Sequence, residues 1–500
     1  MKVFDTEQIR AWDQYTMQHE PVSSINLMER AAGKCFEWLE GNEYFPAHFT
    51  IFCGKGNNGG DGLALARMLA ETSLPVTVYI LEFGNLGTDD FQSNLARLHQ
   101  CSSVDIHFIQ EENNFHTPGK ESLIIDALFG SGLSRPLEGI SARLVEHINQ
   151  SGSEIISIDI PSGLSVDKSS KGNSVIKANH TLCFQCYKPA FLVAENAPYI
   201  GEVHILDIGL HPAFYLSTEG AYELLDKKII SSIYKPRKRF SHKGNFGHAL
   251  LVAGSYGKIG AAVLAAKACL HSGVGLLTCH IPGCGYEILQ TAVPEAMVMT
   301  DFNSSFISNI EFANPLYDTI GIGPGIGTAS ETRNVMKKLF SSCDKPLVID
   351  ADALNCIAME KIMLATLPAH SILSPHPKEF ERIFGECSND FERLEKALKN
   401  AELFNCCIVL KGHHTFIALP GGKGFFNSTG NAGMATPGSG DALTGILTGL
   451  LAQGYTSQDA SIFGVYLHGL AGDIAAGKHS QEAMLAGNIS ECLGEAFLTL

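Results

Sequence analysis

The segment from Asn427 to Gly445 reads NSTGNAGMATPGSGDALTG, a glycine-rich turn that meets an apolar stretch at one carboxylate, Asp441. Glycines such as Gly438 and Gly440 tolerate positive φ angles, so their backbone N–H groups can converge on an anion. A helix that begins near Asp441 would add unpaired N–H groups and the positive end of its dipole. The pattern predicts a general base beside a phosphoryl group. An ordinary helix-capping aspartate after a flexible loop is the alternative.

A second glycine-rich segment, GKGNNGGDG, lies near the other end of the chain at residues 54–62. Three of its glycines match the dinucleotide-binding pattern G-x-G-x-x-G, and Glu82 ends the next apolar run. A single match of this kind is weak evidence. The two asparagines and Asp61 depart from a dehydrogenase pattern, because such enzymes usually carry apolar residues there. Two amides and a carboxylate can coordinate a cation and handle protons as well as hold phosphate.

The composition excludes several classes of protein. With 500 residues the chain is too long for one ordinary core, and roughly two to four domains are expected. The net charge of −16 argues against nucleic-acid binding, and the apolar runs are too short to span a membrane. The N-terminus lacks a signal-peptide pattern, and the fourteen cysteines have no regular spacing. We expect free thiols in a reducing cytoplasm, with Cys183 and Cys186 buried instead of binding a metal.

Apolar runs alternate with helical patterns along the first half of the chain. Helical spacing is found over 63–71 and 91–100, between short apolar runs that are typical of buried strands. A strand–helix–strand series builds a parallel sheet with helices on both faces. The predicted strands are 49–52, 76–81, 123–127, 155–160 and 203–208.

The same alternation restarts after a basic, polar junction at 231–243. The second series opens with a strand at 249–253 and ends with helices at 441–452 and 461–476. We therefore predict two α/β domains, 1–220 and 225–500, the second of which is large enough for its own core. The other predicted elements are a helix at 261–271 and strands at 319–322, 347–350, 371–373, 408–410 and 415–418.

Two further loops of the first domain follow predicted strands: DALFGSGLSRP at 126–136 and DIPSG at 159–163. Ligands bind at the carboxyl ends of strands in open α/β sheets, so both loops are candidate binding segments. Asp159 ends an apolar run, and burial is expected to raise the pKa of its carboxyl. A loop-capping role is the alternative for Asp126 and for Asp159, because both coincide with glycine-rich strand ends.

These three loops, in this order, resemble the NAD(P)H-hydrate epimerase family over about residues 1–215, and NNGGDG is a specific marker. The resemblance implies a Rossmann-like three-layer sandwich that interconverts the R and S epimers at C6 of the hydrated nicotinamide ring, without redox chemistry. It implies K⁺ ligands at Asn58, Asp126 and Ser162, with Asp159 as the acid/base. The implied contacts to the hydrated dinucleotide are Asn57, Asn58, Gly59, Gly60, Asp61, Gly130, Ser131, Gly132, Leu133, Ser134, Arg135, Pro136 and Asp159.

The second domain supplies five loops to one edge of its predicted sheet: GSYGKIGAA, GIGPGIG, DADALN, SPHPKEF and KGHHT. His376 lies between two prolines, which favours an exposed, positioned imidazole over the alternative of a core histidine. Lys411 follows a buried strand and can pair with phosphate as a point charge. Asp350 and Asp352 can hold Mg²⁺ indirectly or serve as ordinary turn carboxylates.

These loops resemble the ADP-dependent NAD(P)H-hydrate dehydratase family, which has a ribokinase-like fold, over about residues 237–500. The shared motifs are HKGNFGH, PEAM, GPGIG, DADALN, PHPKEF, VLKGHHT and GNAGMATPGSGD, a highly specific set. Pro437 departs from the pattern, in which glycine often occupies that position. The resemblance implies Asp441 as the catalytic base. The implied hydrate contacts are Ala261, Gly323, Gly325, His376 and Asp441, and the implied ADP contacts are Lys411, Gly412, His413, His414, Thr415 and Gly440.

Together the two resemblances imply a metabolite-repair enzyme that is an isomerase and a lyase on one chain. The first domain would epimerise R- and S-NAD(P)H hydrate. The second would dehydrate the S form to NAD(P)H, with ADP as phosphoryl donor, Mg²⁺ at the site, and AMP and phosphate as products. The expected partners are the dinucleotide and ADP, without nucleic acid or membrane, and the family implies a homo-oligomer. The alternative is a ribokinase-like small-molecule kinase fused to a non-catalytic dinucleotide-binding domain.

Overall fold

The computed structural model describes residues 1–44, 46–82, 84, 86–119, 121–310 and 316–500. The chain divides into two compact units, one of residues 1–222 with 389–391 and one of residues 223–388 with 392–500. Both units are layered α/β structures, which confirms the predicted fold class. The domain limits 1–220 and 225–500 stay a prediction, because only separate expression of the two segments would test them.

Seven parallel strands, β2 to β8, form the sheet of the first unit in the order β4-β3-β2-β5-β6-β7-β8. The strands up to residue 217 are β1 (Lys2–Val3), β2 (His48–Cys53), β3 (Val76–Leu81), β4 (Val104–Ile109), β5 (Ser122–Ala127), β6 (Ile155–Ile158), β7 (His180–Phe184) and β8 (Glu202–Leu206). The helices are α1 (Thr6–His19), α2 (Ser24–Gly41), α3 (Asn57–Glu71), α4 (Asp89–Leu98), α5 (Gly139–Asn149), α6 (Ala197–Ile200) and α7 (Pro212–Ser217). Short 3₁₀ turns occupy Glu112–Asn114, Pro189–Phe191 and Ala194–Asn196.

The strand order of this sheet reverses between β2 and β5. Ligands of open α/β sheets bind at such a reversal, beside the carboxyl ends of the strands. The segments that follow β2 and β5 begin at Gly54 and Leu128, and both belong to the predicted binding loops. The central strands are buried almost throughout, which explains why they read as continuous apolar runs in the sequence.

From residue 222 onward the strands form a mixed sheet. Their order in it is β9-β18-β17-β16-β15-β14-β13-β10-β11-β12. Strands β10 to β16 are parallel, and β17 runs antiparallel to β16 and β18. These strands are β9 (Tyr222–Leu224), β10 (His248–Val252), β11 (Leu276–Ile281), β12 (Met297–Thr300), β13 (Thr319–Ile322), β14 (Leu347–Ile349), β15 (Ile372–Leu373), β16 (Cys407–Leu410), β17 (Phe416–Ala418) and β18 (Gly424–Phe426).

The helices of this part of the chain are α8 (Lys227–Ile233), α9 (Ile259–His271), α10 (Tyr286–Ala292), α11 (Ser330–Ser342), α12 (Ala351–Met359), α13 (Pro377–Phe384), α14 (Asp390–Leu403), α15 (Ser439–Ala452), α16 (Ser457–His479) and α17 (Ala486–Leu498). The 3₁₀ turns are Lys243–Phe246, Gly283–Gly285, Lys361–Thr366 and Ala432–Met434. Helix α15 is apolar on all sides, and every residue from Ala442 to Ala452 is buried. A helix of this kind is held by packing all around, so its N-terminus is a fixed platform for a site.

The fourteen cysteines are free thiols, and Cys183 and Cys186 are buried as predicted. Among the helices that the structure describes, none combines the length and the apolar character needed to cross a bilayer.

Candidate active sites

The NNGGDG motif forms the first turns of α3, whereas we predicted a loop followed by a helix from residue 63. Helix α3 begins at Asn57, directly after Gly56. A Cβ atom on Gly59 would lie 1.8 Å from the carbonyl oxygen of Gly54, so the turn packs against the strand end more closely than any other residue allows. Tertiary packing therefore makes a helix from residues with poor helix propensity, and this first turn carries Asn58 into the site.

A cavity of about 940 Å³ opens beside these turns within the first unit. Its volume falls in the range of sites for drug-sized and cofactor-sized ligands. Of the predicted dinucleotide contacts, the structure places these on its wall: Asn57, Asn58, Asp61, Gly130, Ser131, Gly132, Leu133, Ser134, Arg135, Pro136 and Asp159. Gly59 and Gly60 are not among the lining residues, and a Cβ on Gly60 would meet the sulfur of Met28 at 2.6 Å. These two glycines serve the packing of α3.

Asp159 forms a buried ion pair with Lys188, a lysine that was not predicted from the sequence. The Lys188 Nζ atom donates to Asp159 Oδ1 at 2.6 Å, to the Asp159 carbonyl oxygen at 3.1 Å and to Cys183 Sγ at 2.9 Å. The Ser131 N–H donates to Asp159 Oδ2 at 2.8 Å. Asp159 has a left-handed φ of 69°, which ends β6 at Ile158, two residues before the predicted limit.

The predicted rise in the pKa of Asp159 is wrong. Burial does raise the pKa of this carboxyl, but the ammonium of Lys188 and the hydrogen bond from Ser131 outweigh burial and lower the pKa below its ordinary value. The Lys188 side chain is 1% exposed, so the charge that stabilises the carboxylate is hardly screened by water. Asp159 is therefore ionised at neutral pH.

Two further carboxylates line the same cavity, and no lysine or arginine among the described residues forms an ion pair with either of them. Burial, and next the charge of Asp159, raise the pKa of Asp13 to about 7. Burial and the charges of Asp159 and Asp13 raise the pKa of Asp61 well above its usual value. Asp13 belongs to α1, far from any glycine-rich motif, so no sequence signal pointed to it. Three carboxylates with unequal pKa values can divide the roles of acid and base.

Of the three predicted K⁺ ligands, Asn58 lines the cavity, whereas Asp126 and Ser162 lie behind its wall. Asp126 is fully buried and accepts hydrogen bonds from Ser162 Oγ at 2.6 Å, Ser162 N at 2.9 Å and Ser157 Oγ at 2.8 Å. Burial raises the pKa of Asp126, and among the described residues no cationic side chain pairs with it. The Asn58 side chain is 8% exposed and lines the cavity, and its amide lacks a hydrogen-bond partner among the described residues. Asp126 and Ser162 are not on the cavity wall.

In the second unit, Lys411 and Asp350 form a pair at the carboxyl ends of β16 and β14. Lys411 Nζ donates to Asp350 Oδ1 at 2.7 Å, and Thr444 Oγ1 of α15 donates to Asp350 Oδ2 at 2.6 Å. A Cβ atom on Gly440 would lie 3.4 Å from Lys411 Nζ, so the glycine-rich turn lies against this lysine. The loops of three separate elements therefore converge at one point.

Helix α15 starts two residues before Asp441, at Ser439, and Gly438 is its N-cap with a φ of 92°. A Cβ on Gly438 would lie 2.4 Å from Leu264 Cδ1. The capping alternative for Asp441 is therefore wrong, since the cap position belongs to Gly438. Burial, and next the charge of Asp350, raise the pKa of Asp441 to about 7, although Lys411 acts in the opposite direction. A carboxylate with this pKa suits a base at neutral pH.

His376 caps α13, and its position agrees with the predicted exposed, positioned imidazole. Its Nδ1 accepts hydrogen bonds from the N–H groups of Lys378 and Glu379 at 3.1 and 3.3 Å. The side chain is 45% exposed, and Nε2 lies 3.4 Å from Glu379 Oε1. Partial burial and the nearby charge of Lys411 lower the pKa of His376, so the ring is neutral at neutral pH. The core-histidine alternative is wrong.

The other predicted contacts lie on neighbouring loops or, like Ala261, in the first turn of a neighbouring helix. Gly325 has a φ of 65°, and its Cβ position lies 3.2 Å from Ala261 Cβ; Gly323 follows β13 with a φ of 138°. Asp352 accepts hydrogen bonds from Lys258 Nζ at 3.0 Å and Gly327 N at 2.9 Å. Residues 411–415, which include Gly412, His413, His414 and Thr415, form the turn between β16 and β17.

Sequence reasoning also missed His468, which lies beneath the glycine-rich turn. Its Nε2–H donates to the Ser439 carbonyl oxygen at 3.0 Å. Burial lowers the pKa of His468 to about 4, so the ring is neutral and holds the start of α15 by a hydrogen bond alone. A single histidine inside an apolar helix has no sequence pattern that would separate this role from packing.

Comparison with known proteins decides the family. The family model described as NAD(P)H-hydrate dehydratase matches residues 249–494, and the model described as YjeF-related protein N-terminus matches residues 24–190. The bifunctional NAD(P)H-hydrate repair enzyme Nnr of Moorella thermoacetica is 35% identical, over 94% of this chain and 92% of its own length. The chain belongs to the bifunctional NAD(P)H-hydrate repair enzymes. The enzyme of the same name from Escherichia coli is 32% identical, over 93% of this chain and 88% of its own.

Family membership confirms the predicted isomerase and lyase on one chain and decides against the kinase alternative. A crystal structure of ADP/ATP-dependent NAD(P)H-hydrate dehydratase from Bacillus subtilis, co-crystallised with ATP/Mg²⁺, shares 30% identity with this repair enzyme. It covers 56% of this chain and 98% of its own, with a TM-score of 0.49. The matched segments of the repair enzyme contain Lys188 and Asp441, whereas Asp13 lies before the first of them.

Proposed function

We propose that the chain repairs hydrated nicotinamide dinucleotides in two steps, one in each unit. The first site interconverts the R and S epimers of NAD(P)H hydrate, and the second dehydrates the S epimer to NAD(P)H. The observation that supports this most directly is the presence in each site of a lysine-paired carboxylate beside a second carboxylate whose pKa is raised to about 7. A carboxylate whose pKa is raised toward neutrality is a usual basis for acid and base roles.

In the first site, Asp159 is the base and Asp13 its acidic counterpart. Lys188 keeps Asp159 ionised, so this carboxylate can accept the proton of the C6 hydroxyl of the bound hydrate. Loss of that proton lets the C6–N1 bond break to give an open-chain aldehyde, while Asp13, which with a pKa of about 7 is about half protonated at neutral pH, donates a proton to N1. When N1 adds back to the opposite face of the aldehyde, Asp13 recovers its proton and Asp159 returns the other proton to the C6 oxygen, which completes the inversion. The first turn of α3 and the loop at 130–136, which line the cavity, hold the dinucleotide beside these groups.

In the second site, Asp441 removes the proton of the C6 hydroxyl while that oxygen attacks the terminal phosphoryl group of ADP. The O–P bond to the C6 oxygen forms as the bond between AMP and the terminal phosphoryl group breaks. Loss of phosphate from C6, together with a proton from C5 that the departing phosphate can accept, then restores the C5–C6 double bond of the reduced ring. The N–H groups of Gly438 and Gly440 face the charge that develops on the transferred phosphoryl group. Lys411 supplies a positive charge 3.4 Å from the Cβ position of Gly440, where the phosphates of ADP would lie.

Cations fit the two sites to different extents. The unpartnered amide of Asn58 and the buried, uncompensated carboxylate of Asp126 suit a monovalent cation such as K⁺ in the first site. In the second site Asp350 and Asp352 already have lysine partners. Mg²⁺ there would be bound mainly by the nucleotide phosphates and water, and it would neutralise their charge. Cytoplasmic location and homo-oligomeric assembly stay predictions from the family resemblance.

The test uses separated S and R hydrates, each supplied with ADP or ATP, and follows the return of reduced-nicotinamide absorbance. We expect the S hydrate to be dehydrated directly and the R hydrate only after epimerisation. Asp159→Asn should abolish conversion of the R hydrate and preserve that of the S hydrate. Because the S hydrate reacts in the second unit, folding of the first unit is checked separately by the melting temperature of segment 1–220 with and without the substitution. Asp441→Asn should stop dehydration of both. Loss of S-hydrate turnover in the Asp159 variant alone, with its fold intact, would contradict the division of labour.

A further inference from the structure

A cluster of imidazole and carboxylate groups lies at the start of β7 and β8, at the opposite end of these strands from the cavity loops. His180 is the first residue of β7, and Glu202 and His204 are the first and third residues of β8. The parallel register pairs His180 with Glu202, and side chains two residues apart share one face of a strand. The three side chains therefore project from the same face of the sheet.

The ligand atoms of this cluster are already at metal-binding separations. His180 Nδ1 lies 3.0 Å from His204 Nε2 and 3.8 Å from Glu202 Oε2. One ligand atom from each residue can be chosen so that all lie within 4.8 Å of one another. Two atoms bound tetrahedrally at the usual Zn–N and Zn–O lengths are separated by about 3.3 Å. Small rotations of the side chains are enough to place an ion among them.

The surroundings orient the two rings as outer groups do at known metal sites. Glu154 Oε1 lies 3.6 Å from His180 Nε2 and accepts a hydrogen bond from the Tyr44 hydroxyl at 2.9 Å. This carboxylate favours a proton on Nε2 and leaves the Nδ1 lone pair for a metal. The indole of Trp38 packs against His204 with ring centroids 4.7 Å apart. The cluster is partly exposed, so an ion can reach it from solvent.

We propose that His180, Glu202 and His204 bind a divalent late first-row transition metal, of which Zn²⁺ is the natural probe. Two imidazoles and a carboxylate suit Zn²⁺, Ni²⁺ or Cu²⁺, whereas Mg²⁺ and Ca²⁺ prefer oxygen ligands throughout. Water completes the coordination, and Glu154 serves as the outer carboxylate. The ion connects edge strand β8 to β7, the strand that leads into Lys188, and so stabilises the folded first unit.

The experiment is calorimetric titration of the reduced full chain with Zn²⁺, without nucleotide, together with melting temperatures with and without the ion. We expect a Zn²⁺ site that raises the melting temperature. Glu154→Gln should weaken it about 10–100-fold, as outer-group changes do, and His204→Gln should weaken it more. His107→Gln is the matched control, because His107 is an exposed histidine on strand β4 of the same sheet.

Glu202→Gln tests the site even if a histidine variant fails to fold. The Glu202 side chain is 71% exposed, so its replacement should not disturb folding. The cysteines are unchanged in every variant, so any Zn²⁺ that they bind appears equally throughout. Zn²⁺ affinity and melting shift that are the same in the wild type, Glu202→Gln and His204→Gln would overturn the proposal. The cluster would then be a hydrogen-bonded histidine pair only.

Discussion

Replacement of Lys188 by methionine tests the electrostatic account of the first site. The Lys188–Asp159 pair has an N–O distance of 2.6 Å, and its side chains are 1% and 13% exposed. Loss of the ammonium leaves a buried carboxylate without its partner, which costs about 3–5 kcal/mol of folding free energy. Lys34→Met is the matched control, because the Lys34–Glu37 pair has the same 2.6 Å distance but side chains that are 40% and 63% exposed. Its loss should cost at most about 1 kcal/mol.

The ion pair also predicts how the folding stability changes with pH. Because the folded pKa of Asp159 lies below its unfolded value of about 3.9, the pair stabilises the fold above that value and loses this effect as the pH falls through the folded pKa. In Lys188→Met, burial dominates and the pKa of Asp159 rises instead. The variant should therefore be much less stable than the wild type at neutral pH, and the difference should shrink in acid.

The pH dependence of epimerisation should change with the pKa of Asp159. Asp159 must be ionised to act as a base, so the acidic limb of R-to-S conversion should move to higher pH in Lys188→Met. Denaturant unfolding and pH–rate profiles measure the two effects separately. A double variant, Lys188→Met with Asp159→Asn, should regain stability without regaining activity, since both buried charges are gone. An unchanged acidic limb, or a stability loss no larger than that of Lys34→Met, would refute the reasoning.

Three further predictions concern the other groups. Asp441→Asn should slow ADP-dependent dehydration of the S hydrate about 10²–10⁴-fold and leave epimerisation unchanged; in the wild type, dehydration should slow as the pH falls below about 7, because the base becomes protonated. Asp126→Ala should weaken R-to-S conversion and its response to added K⁺, and an identical K⁺ response in both proteins would remove Asp126 from the cation site. Segments 1–220 and 225–500, expressed separately, should each fold and keep one activity; two insoluble segments would contradict these domain limits.

Strands β2 and β5 were predicted to within one residue at each end, since a continuous apolar run that is buried on both faces leaves few other interpretations. Strands β7 and β11 are also largely buried but are not among the predicted strands, because histidine and threonine interrupt or shorten their apolar runs. Strand β4 was missed because most of its residues are exposed or only partly buried at the edge of the sheet, so its apolar run is short. The start of α3 was missed for a different reason. Glycine and asparagine have low helix propensity, and the helix at residues 57–62 depends on backbone contact between Gly59 and Gly54 that only the folded chain provides.

The site residues within glycine-rich loops could be found from the sequence, because a strand followed by a flexible loop is itself a signal. Their partners could not. Lys188 is separated from Asp159 by 29 residues, and Thr444 from Asp350 by 94, so nothing local connects either pair. The wrong expectation for the pKa of Asp159 had this cause: burial was visible in the sequence, and the neutralising lysine was not.

Both sites pair one lysine with one carboxylate and leave a second carboxylate whose pKa is raised. Lys188 neutralises Asp159, and the pKa of Asp13 is raised to about 7; Lys411 pairs with Asp350, and the pKa of Asp441 is raised to about 7. In the first site Asp159, whose pKa is lowered, stays ionised and serves as the base. In the second site the raised pKa of Asp441, which forms no ion pair with any described residue, suits removal of a proton from an alcohol. Pairing with a lysine therefore does not by itself identify the base: the partner of Lys188 accepts the proton in the first site, whereas in the second site Asp441 accepts it and the partner of Lys411 does not.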